Sequence, residues 1–153
     1  MTTVWTRRLV RGDLTAAHDM FAMMAAVFAE GAEPLPDDYV VWLLDRDSFW
    51  AIAAFAGDDI VGGITAHTLP MTRSPSSEVF IYDLAVRRDH RRQGVGSKLV
   101  LELREAAAAA GCGDVFVPAD NEDKHALDFY RAQGAVASPV TFFTFTALSR
   151  FLE

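Results

Sequence analysis

The sequence predicts an α/β fold, built as one mixed sheet with helices on both faces. Three observations predict it. Apolar residues recur at helical spacing in several stretches, and short apolar runs bounded by turn residues read as strands. Two of those runs, 79–86 and 114–118, are joined through a helix, which requires a parallel pair with a right-handed crossover. The chain has 153 residues, no internal repeat and no low-complexity linker, so a single domain over 1–153 is expected.

The elements follow in order. "VWTRRLV" (4–10) alternates as a first strand. In 13–30, Leu14, Ala17, Met20, Phe21, Met24 and Val27 lie at helical spacing, with Asp13 placed as N-cap. The methionines of this stripe read as core. "GAEPLPDDY" (31–39) is broken by a glycine and two prolines, and a short helix is expected over 37–45. "SFWAIAAF" and "IVGGITAHTL" flank the turn sequence "AGDD" and read as a hairpin. "EVFIYDLAV" is a long strand. Leu99, Val100, Leu103, Ala107 and Ala110 mark a helix, and Gly111 suits its C-terminal cap. "DVFVPA" is a buried strand, "HALDFYRAQG" a helix ending at Gly134, and the aromatic "VTFFTFT" (140–146) a last strand.

Composition removes several function classes. The formal net charge is −7, which argues against nucleic acid as the main partner, because phosphate neutralisation wants a basic surface. It would steer a cation, although many acidic domains are merely well solvated. No apolar run approaches the ~20 residues of a membrane helix, and the first residues carry neither a long apolar core nor a small-residue cleavage site. The single Cys112 suits a reducing cytoplasm, reads as structural, and predicts a cytoplasmic chain with no membrane partner. His18, His67, His90 and His125 show no metal-ligand spacing, so no metal is expected.

The stretch Val79–Gly111 carries the chemistry. An apolar strand runs into arginines, then into glycines that open a helix. A helix starting near Gly94–Val95 presents unpaired N–H groups and the positive end of its dipole. Gly94 and Gly96 remove the Cβ atoms that would keep a ligand from the backbone, and Arg91 and Arg92 suit phosphate oxygens. A pyrophosphate is the natural guest. Walker A and dinucleotide fingerprints fail, since the order is Gly-Ser-Lys and Leu99 stands where a third glycine would. On generic chemistry alone, a glycine-started helix with solvated arginines stays equally open.

"LAVRRDHRRQGVGSKLV" resembles the acetyl-CoA signature of the GNAT superfamily of N-acetyltransferases, with Arg91-Arg92-Gln93-Gly94-Val95-Gly96 filling it. "ALDFYRAQGA" resembles that family's Ala-x-x-Phe-Tyr-x-x-x-Gly segment. The resemblance implies the GNAT fold, with splayed parallel strands, and acetyl-CoA as cosubstrate. It implies that backbone groups of Leu84, Ala85 and Val86 pair with the pantetheine arm. Amides from Arg92 to Ser97 would hold the pyrophosphate, and the thioester would lie where strands 79–86 and 114–118 diverge. Members often carry an Asn three residues before the Ala; here that position is Asp123 and the nearest Asn is Asn121, so that contact is not expected.

The same resemblance makes Tyr130 the general acid for the leaving thiolate, against a reading as an amphipathic core tyrosine. The base is sought among acids near the opening. Asp83 stands inside an apolar strand, where an unpaired charge is expensive, and Tyr82 is expected on the opposite face. Asp120, Glu78, Glu122 and Asp123 are placed near the two lips of the opening, with Glu30 and Glu33 on the first helix and its loop. Tyr82, Asp83, Glu78, Asp120 and Glu122 are the candidate acceptor-binding residues.

Residues 49–96, with "AAF", "VG", "LP", "SE", "IYDLAV" and "HRRQG", are similar to type I aminoglycoside 3-N-acetyltransferases. That implies a polycationic aminoglycoside acceptor, acetylated on the 3-amino group of the 2-deoxystreptamine ring, and antibiotic resistance as the result. A GNAT enzyme acting on a polyamine, a protein or another small amine is the alternative, and an acyl-CoA sensor without turnover is the non-enzymatic one. Homodimers are common in this family, and the 140–146 segment reads as core, acceptor wall or dimer edge.

Overall fold

A computed structural model describes residues 3–31 and 33–149. The chain divides into two compact units, Met1–Pro118 and Ala119–Glu153.

The first unit is an α/β layer structure. Its sheet runs in the order β1 (Val4–Arg8), β2 (Phe49–Ala56), β3 (Asp59–Pro70), β4 (Ser77–Val86), β5 (Val115–Phe116). The first three pairings are antiparallel and β4–β5 is parallel, so the sheet is mixed as expected. Helices α1 (Leu14–Val27) and α2 (Asp37–Leu44) precede β2, and α3 (Val95–Ala109) makes the crossover from β4 to β5.

Strand β2 is buried at all eight positions, because helices cover both of its faces. Two adjacent glycines in β3 set the thickness of that sandwich. A Cβ on Gly63 would stand 2.8 Å from Met20 Cγ of α1. A Cβ on Gly62 would stand 2.9 Å from Val95 Cγ1 and 3.2 Å from Leu99 Cδ1 of α3. Successive strand residues point to opposite faces, so α1 and α3 press on the sheet from opposite sides at one level. On the α1 face, Leu9, Ala17, Met20, Met24, Val40, Phe49, Ala51, Ala53, Phe55 and Ala85 form one buried cluster. The methionine stripe is therefore core, as its spacing predicts.

Local details correct the sequence reading at two places here. Asp13 precedes α1, but its carboxylate turns back to accept from the Val10 amide at 2.8 Å and to pair with Arg7 at 3.0 Å. It does not cap the helix with its side chain. Strand β5 is confined to Val115–Phe116, because β4 accompanies it only there. The hairpin turn and the Gly111 cap are as read: Gly57 has φ 61° and Gly111 φ 81°.

The second unit contains α4 (Lys124–Ala132), capped by Asp123, whose Oδ1 accepts from the Ala126 amide at 3.1 Å. Gly134 follows with φ 92°. The expected last strand over 140–146 is not formed: residues 135–149 belong to no helix or strand. High strand propensity supplies no ladder by itself, and no partner strand lies beside this segment among the described residues.

The glycine pair yields a prediction. Gly62→Ala pushes Val95, the first residue of α3, and should cost about 1–3 kcal/mol by overpacking. Urea denaturation should show a lower midpoint at unchanged m-value. A variant as stable as the parent would show that α3 does not depend on this contact.

Candidate active site

The site is built around one strand that is paired on both sides for only part of its length. On its β3 side, β4 is paired from Ser77↔Pro70 to Val86↔Gly62, with Tyr82 alone left out of the ladder. On its other side the parallel pairs are Val79↔Val115 and Phe80↔Phe116. From Ile81 to Val86 that edge of β4 has no strand partner among the described residues. The backbone of Leu84, Ala85 and Val86 is thus held on one side and open to a ladder on the other. The pairing ends toward the carboxyl ends of both parallel strands, where open α/β sheets bind their ligands.

The chain leaves β4 through a tight turn. A short 3-10 helix covers Arg88–His90, and Arg91 Nε donates to the Val86 carbonyl at 3.3 Å, tying the loop back to the strand end. Arg87 grips the Asp89 carboxylate through Nε and Nη2, at 2.9 and 2.7 Å, and His90 Nδ1 lies 3.0 Å from it. These hydrogen bonds, with Arg87 foremost, hold Asp89 far below the usual carboxylate range. Arg92 has φ 61° and Gly94 φ 79°, two left-handed residues that turn the backbone amides outward. A Cβ on Gly94 would meet nothing within 4 Å, so the space before it is open. The amides of Arg92, Gln93, Gly94, Val95 and Gly96 make no hydrogen bond among the described residues. Five unpaired N–H donors at a helix start, beside Arg91 and Arg92, fit a diphosphate. Ser97, the next residue of the expected set, is the third residue of α3 and lies in its first turn.

The acceptor side differs from the sequence reading in one instructive way. Between Thr65↔Asp83 and Ala66↔Ile81 the register shifts by one, so Tyr82 is an extra residue in β4. Gly63, Thr65 and His67 alternate onto the α1 face, and so do their partners Ala85, Asp83 and Phe80. The Tyr82 ring lies 5.8 Å from both His67 and Phe80. Tyr82 and Asp83 therefore share one face instead of lying on opposite ones, because a β-bulge adds a residue without a partner. Asp83 is half-buried there. Burial, and then the negative charge of Glu30, raise its pKa above the ordinary carboxylate value.

Beside Asp83 runs a ladder of rings that the sequence reading missed. Phe49 and His67 are 5.4 Å apart, His67 and Tyr82 5.8 Å, Phe80 and Tyr82 5.8 Å, and Phe80 stacks on Phe116 at 5.2 Å. Burial, with Arg46 as a second cause, lowers the His67 pKa and keeps the ring neutral. The alternation of β3 against β4 carried this information, but only once the bulge fixed the register.

One expected acceptor residue, Glu78, is placed differently. Glu78 pairs with Leu69, one residue before the first parallel pair. It stands five residues from Asp83, about 16 Å along the strand at ~3.3 Å per residue. Glu78 is thus at the closed end of the β4–β5 pair and not at a lip of the opening. Asp120, Glu122 and Tyr130 belong to the second unit. Asp120 Oδ1 accepts from the Glu122 amide at 2.8 Å, an Asx-type turn, so part of its role is local. A shallow cavity bordered by Gly12, Asp13, Thr15, Asp19 and Asp58 lies elsewhere, at the start of α1, and contains none of these groups.

Comparison with known proteins agrees with this geometry. The chain is 31% identical to the aminoglycoside acetyltransferase meta-AAC0020, from an uncultured soil metagenomic sample, crystallised with sisomicin; the TM-score is 0.90 over 95% of this chain and 97% of that one. A second soil metagenomic aminoglycoside acetyltransferase, HMB0005, superposes with TM-score 0.89 at 31% identity, covering 95% and 99% of the two chains. Thialysine N-epsilon-acetyltransferase of Bos taurus is 33% identical over 57 residues, which are 37% of this chain and about a third (34%) of that enzyme's length. Residues 16–135 match the acetyltransferase (GNAT) family as a whole. With a split strand edge and an amide-lined helix mouth both in place, the chain belongs to the GNAT acetyltransferase family.

Proposed function

We propose that this chain transfers the acetyl group of acetyl-CoA to an amine of an aminoglycoside, the 3-amino group of the 2-deoxystreptamine ring. The observation that carries the reading is the run of five unpaired amides, Arg92 to Gly96, beside the open β4 edge. Leu84, Ala85 and Val86 pair with the pantetheine amides as an added strand would. Arg91, Arg92, Gln93 and Gly94 to Ser97 hold the diphosphate. The aminoglycoside acetyltransferases among the similar structures support the acceptor class. Acetylation replaces an ammonium by a neutral amide and weakens the drug's hold on ribosomal RNA, giving resistance in the cytoplasm.

The chemistry is a direct displacement. The acceptor nitrogen must be neutral to attack the thioester carbonyl carbon, so its proton leaves first, to Asp83 directly or through water. A carboxylate with a raised pKa is a better base than an ordinary one, and Glu30 beside it adds a second charge for a cationic acceptor. Tyr82 and the rings around it offer a wall for the sugar ring. When the carbon–sulfur bond breaks, Tyr130 gives its hydroxyl proton to the departing thiolate, and the second proton lost by the acetylated nitrogen passes through water to restore the phenol. Asp120 and Glu122 add negative charge for the acceptor's other ammonium groups. The alternative acceptor is a smaller amine, and the short match to a thialysine acetyltransferase favours keeping it in the test.

Incubation with acetyl-CoA and sisomicin or gentamicin should release free thiol and give a singly acetylated product, with NMR placing the new amide on the 3-amino group. Thiol release with spermidine or thialysine but with no aminoglycoside would replace the proposal by its alternative. Tyr130→Phe should lower kcat while leaving the Kd for acetyl-CoA nearly unchanged; equal turnover would remove the acid role.

Asp83 gives a paired prediction for activity and stability. Its folded pKa is raised, so its favourable contribution is present at low pH and is lost as pH rises through that value. The ionised carboxylate then destabilises the fold. Asp83→Asn should therefore raise Tm at neutral pH while cutting kcat by about 10²–10⁴. Glu30→Gln removes a like charge and should move the acidic limb of the pH–rate profile to lower pH. A limb that stays in place would mean that Asp83 is not the titrating base.

A further inference from the structure

The chain has four histidines, and three have an ordinary setting. His18 Nε2 lies 2.8 Å from the Asp37 carboxylate and His90 Nδ1 3.0 Å from that of Asp89. His125 is exposed at the start of α4. His67 differs from all of them. It is half-buried, and its ring makes no hydrogen bond among the described residues. Arg8 Nε is the one side-chain nitrogen among those residues that is both sealed from solvent and without a partner, so the ring nitrogens of His67 reach the cleft.

His67 stands on β3 beside the proposed base. Thr65 is opposite Asp83, and His67 is two residues further on, so it faces the same side of the sheet. Diagonal neighbours of this kind are about 7–8 Å apart. The Phe49 and Tyr82 rings flank the imidazole at 5.4 and 5.8 Å. Burial first, and Arg46 second, lower its pKa and keep it neutral. A neutral imidazole donates through one nitrogen and accepts through the other. Left half-buried without a partner, such a group costs free energy that a ligand's polar group relieves.

The charges along the cleft are unevenly placed. Glu30 acts on Asp83, whereas Arg46 acts on His67. Arg46 follows α2 directly and lies over the Trp42 ring at 4.5 Å. One end of the cleft thus attracts an ammonium and the other repels one. The group that meets His67 must be polar without being cationic. On an amine acceptor, that group is a hydroxyl.

We propose that His67 is a specificity-determining residue whose imidazole hydrogen-bonds a hydroxyl of the acceptor while Asp83 and Glu30 take a nearby ammonium, so that the site selects ring amines bearing hydroxyls over plain diamines and polyamines. The inference rests on the reading of Asp83 and Glu30 as the acceptor's anchor, and not on which amine is acetylated. A site that pairs a substrate hydroxyl discriminates against an analogue lacking it, because its own polar group is then left bare. One neutral hydrogen bond is worth about 3–10-fold in affinity.

The test is a cycle of two proteins and two ligands, read as Kd by NMR titration of the full chain. CoA is present instead of acetyl-CoA, so no acetyl group can move. 2-Deoxystreptamine carries amines and hydroxyls on one ring, and cis-1,3-diaminocyclohexane carries the amines alone. His67→Phe keeps a ring in the ladder and removes both nitrogens. It should weaken 2-deoxystreptamine about 3–10-fold and leave the Kd of the plain diamine as in the parent. His67→Gln restores a donor and an acceptor and should recover part of the loss. Equal losses on both ligands would make His67 a packing residue. That result, no loss on either ligand, or a parent that binds neither would overturn the inference and leave the acetylation reading to its own assay. A parent that shows the expected cycle but acetylates no aminoglycoside would remove the acetylation reading and leave this one standing.

Discussion

The rest of the structure depends on a mismatch of lengths. Strand β4 runs for ten residues and its parallel neighbour accompanies it for two. A sheet normally satisfies its backbone by pairing, and an unpaired edge is a liability. Here the unpaired half of β4 coincides with the bulge at Tyr82 and leads directly to the amides of α3. The bulge does two things at once. It adds a residue, which puts Tyr82 and Asp83 on one face, and it increases local twist, which favours separation from β5. An uninterrupted β4 would turn one of those side chains into the α3 layer and offer β5 a longer partner.

The position of α3 is fixed from behind. Gly62 lets Val95 and Leu99 sit closer to β3 than any side chain would allow, and Gly63 does the same for Met20. The first turn of α3 is therefore pinned by packing, while its amides face outward without partners. Lys98 Nζ donates to the Val4 carbonyl at 2.6 Å and anchors the same turn to the sheet edge. A preorganised donor array costs no reordering when an anion arrives, which is why the arrangement suits a diphosphate better than a flexible cluster of lysines would.

Much of this was legible in the sequence, for identifiable reasons. The helical stripe Leu14–Val27 and the hairpin 49–70 are strongly periodic and local, so pattern decides them. The Arg91–Gly96 turn was legible because left-handed backbone and unpaired amides demand glycine at Gly94. The bulge was not legible. "FIYDLAV" alternates acceptably in either register, and only pairing with β3 shows which residue is extra. The His67–Tyr82–Phe80 ladder was hidden for the same reason. The placement of Glu78 failed because proximity in sequence to an apolar strand says nothing about which end of the strand is open. The 140–146 segment has the propensity of a strand, but propensity cannot name a partner.

Charge shows how one acidic chain can serve two oppositely charged ligands. A net charge of −7 draws a polycation and repels a diphosphate at long range. At ~8 Å, physiological salt screens most of that repulsion, so the diphosphate feels only its immediate surroundings. Those surroundings are four arginines within residues 87–92 and the amides of α3. Arg87 is spent on Asp89, and the bidentate grip stiffens the loop. Arg91 and Arg92 stay exposed beside the mouth. On the sheet's α1 face, burial and then the charge of Glu30 raise the cost of ionising Asp83, and an arriving cation would lower it. On the proposed function, a cationic acceptor is thus stabilised most where the protein is electrostatically least content without it, and an anionic donor where the backbone leaves hydrogen bonds unmade.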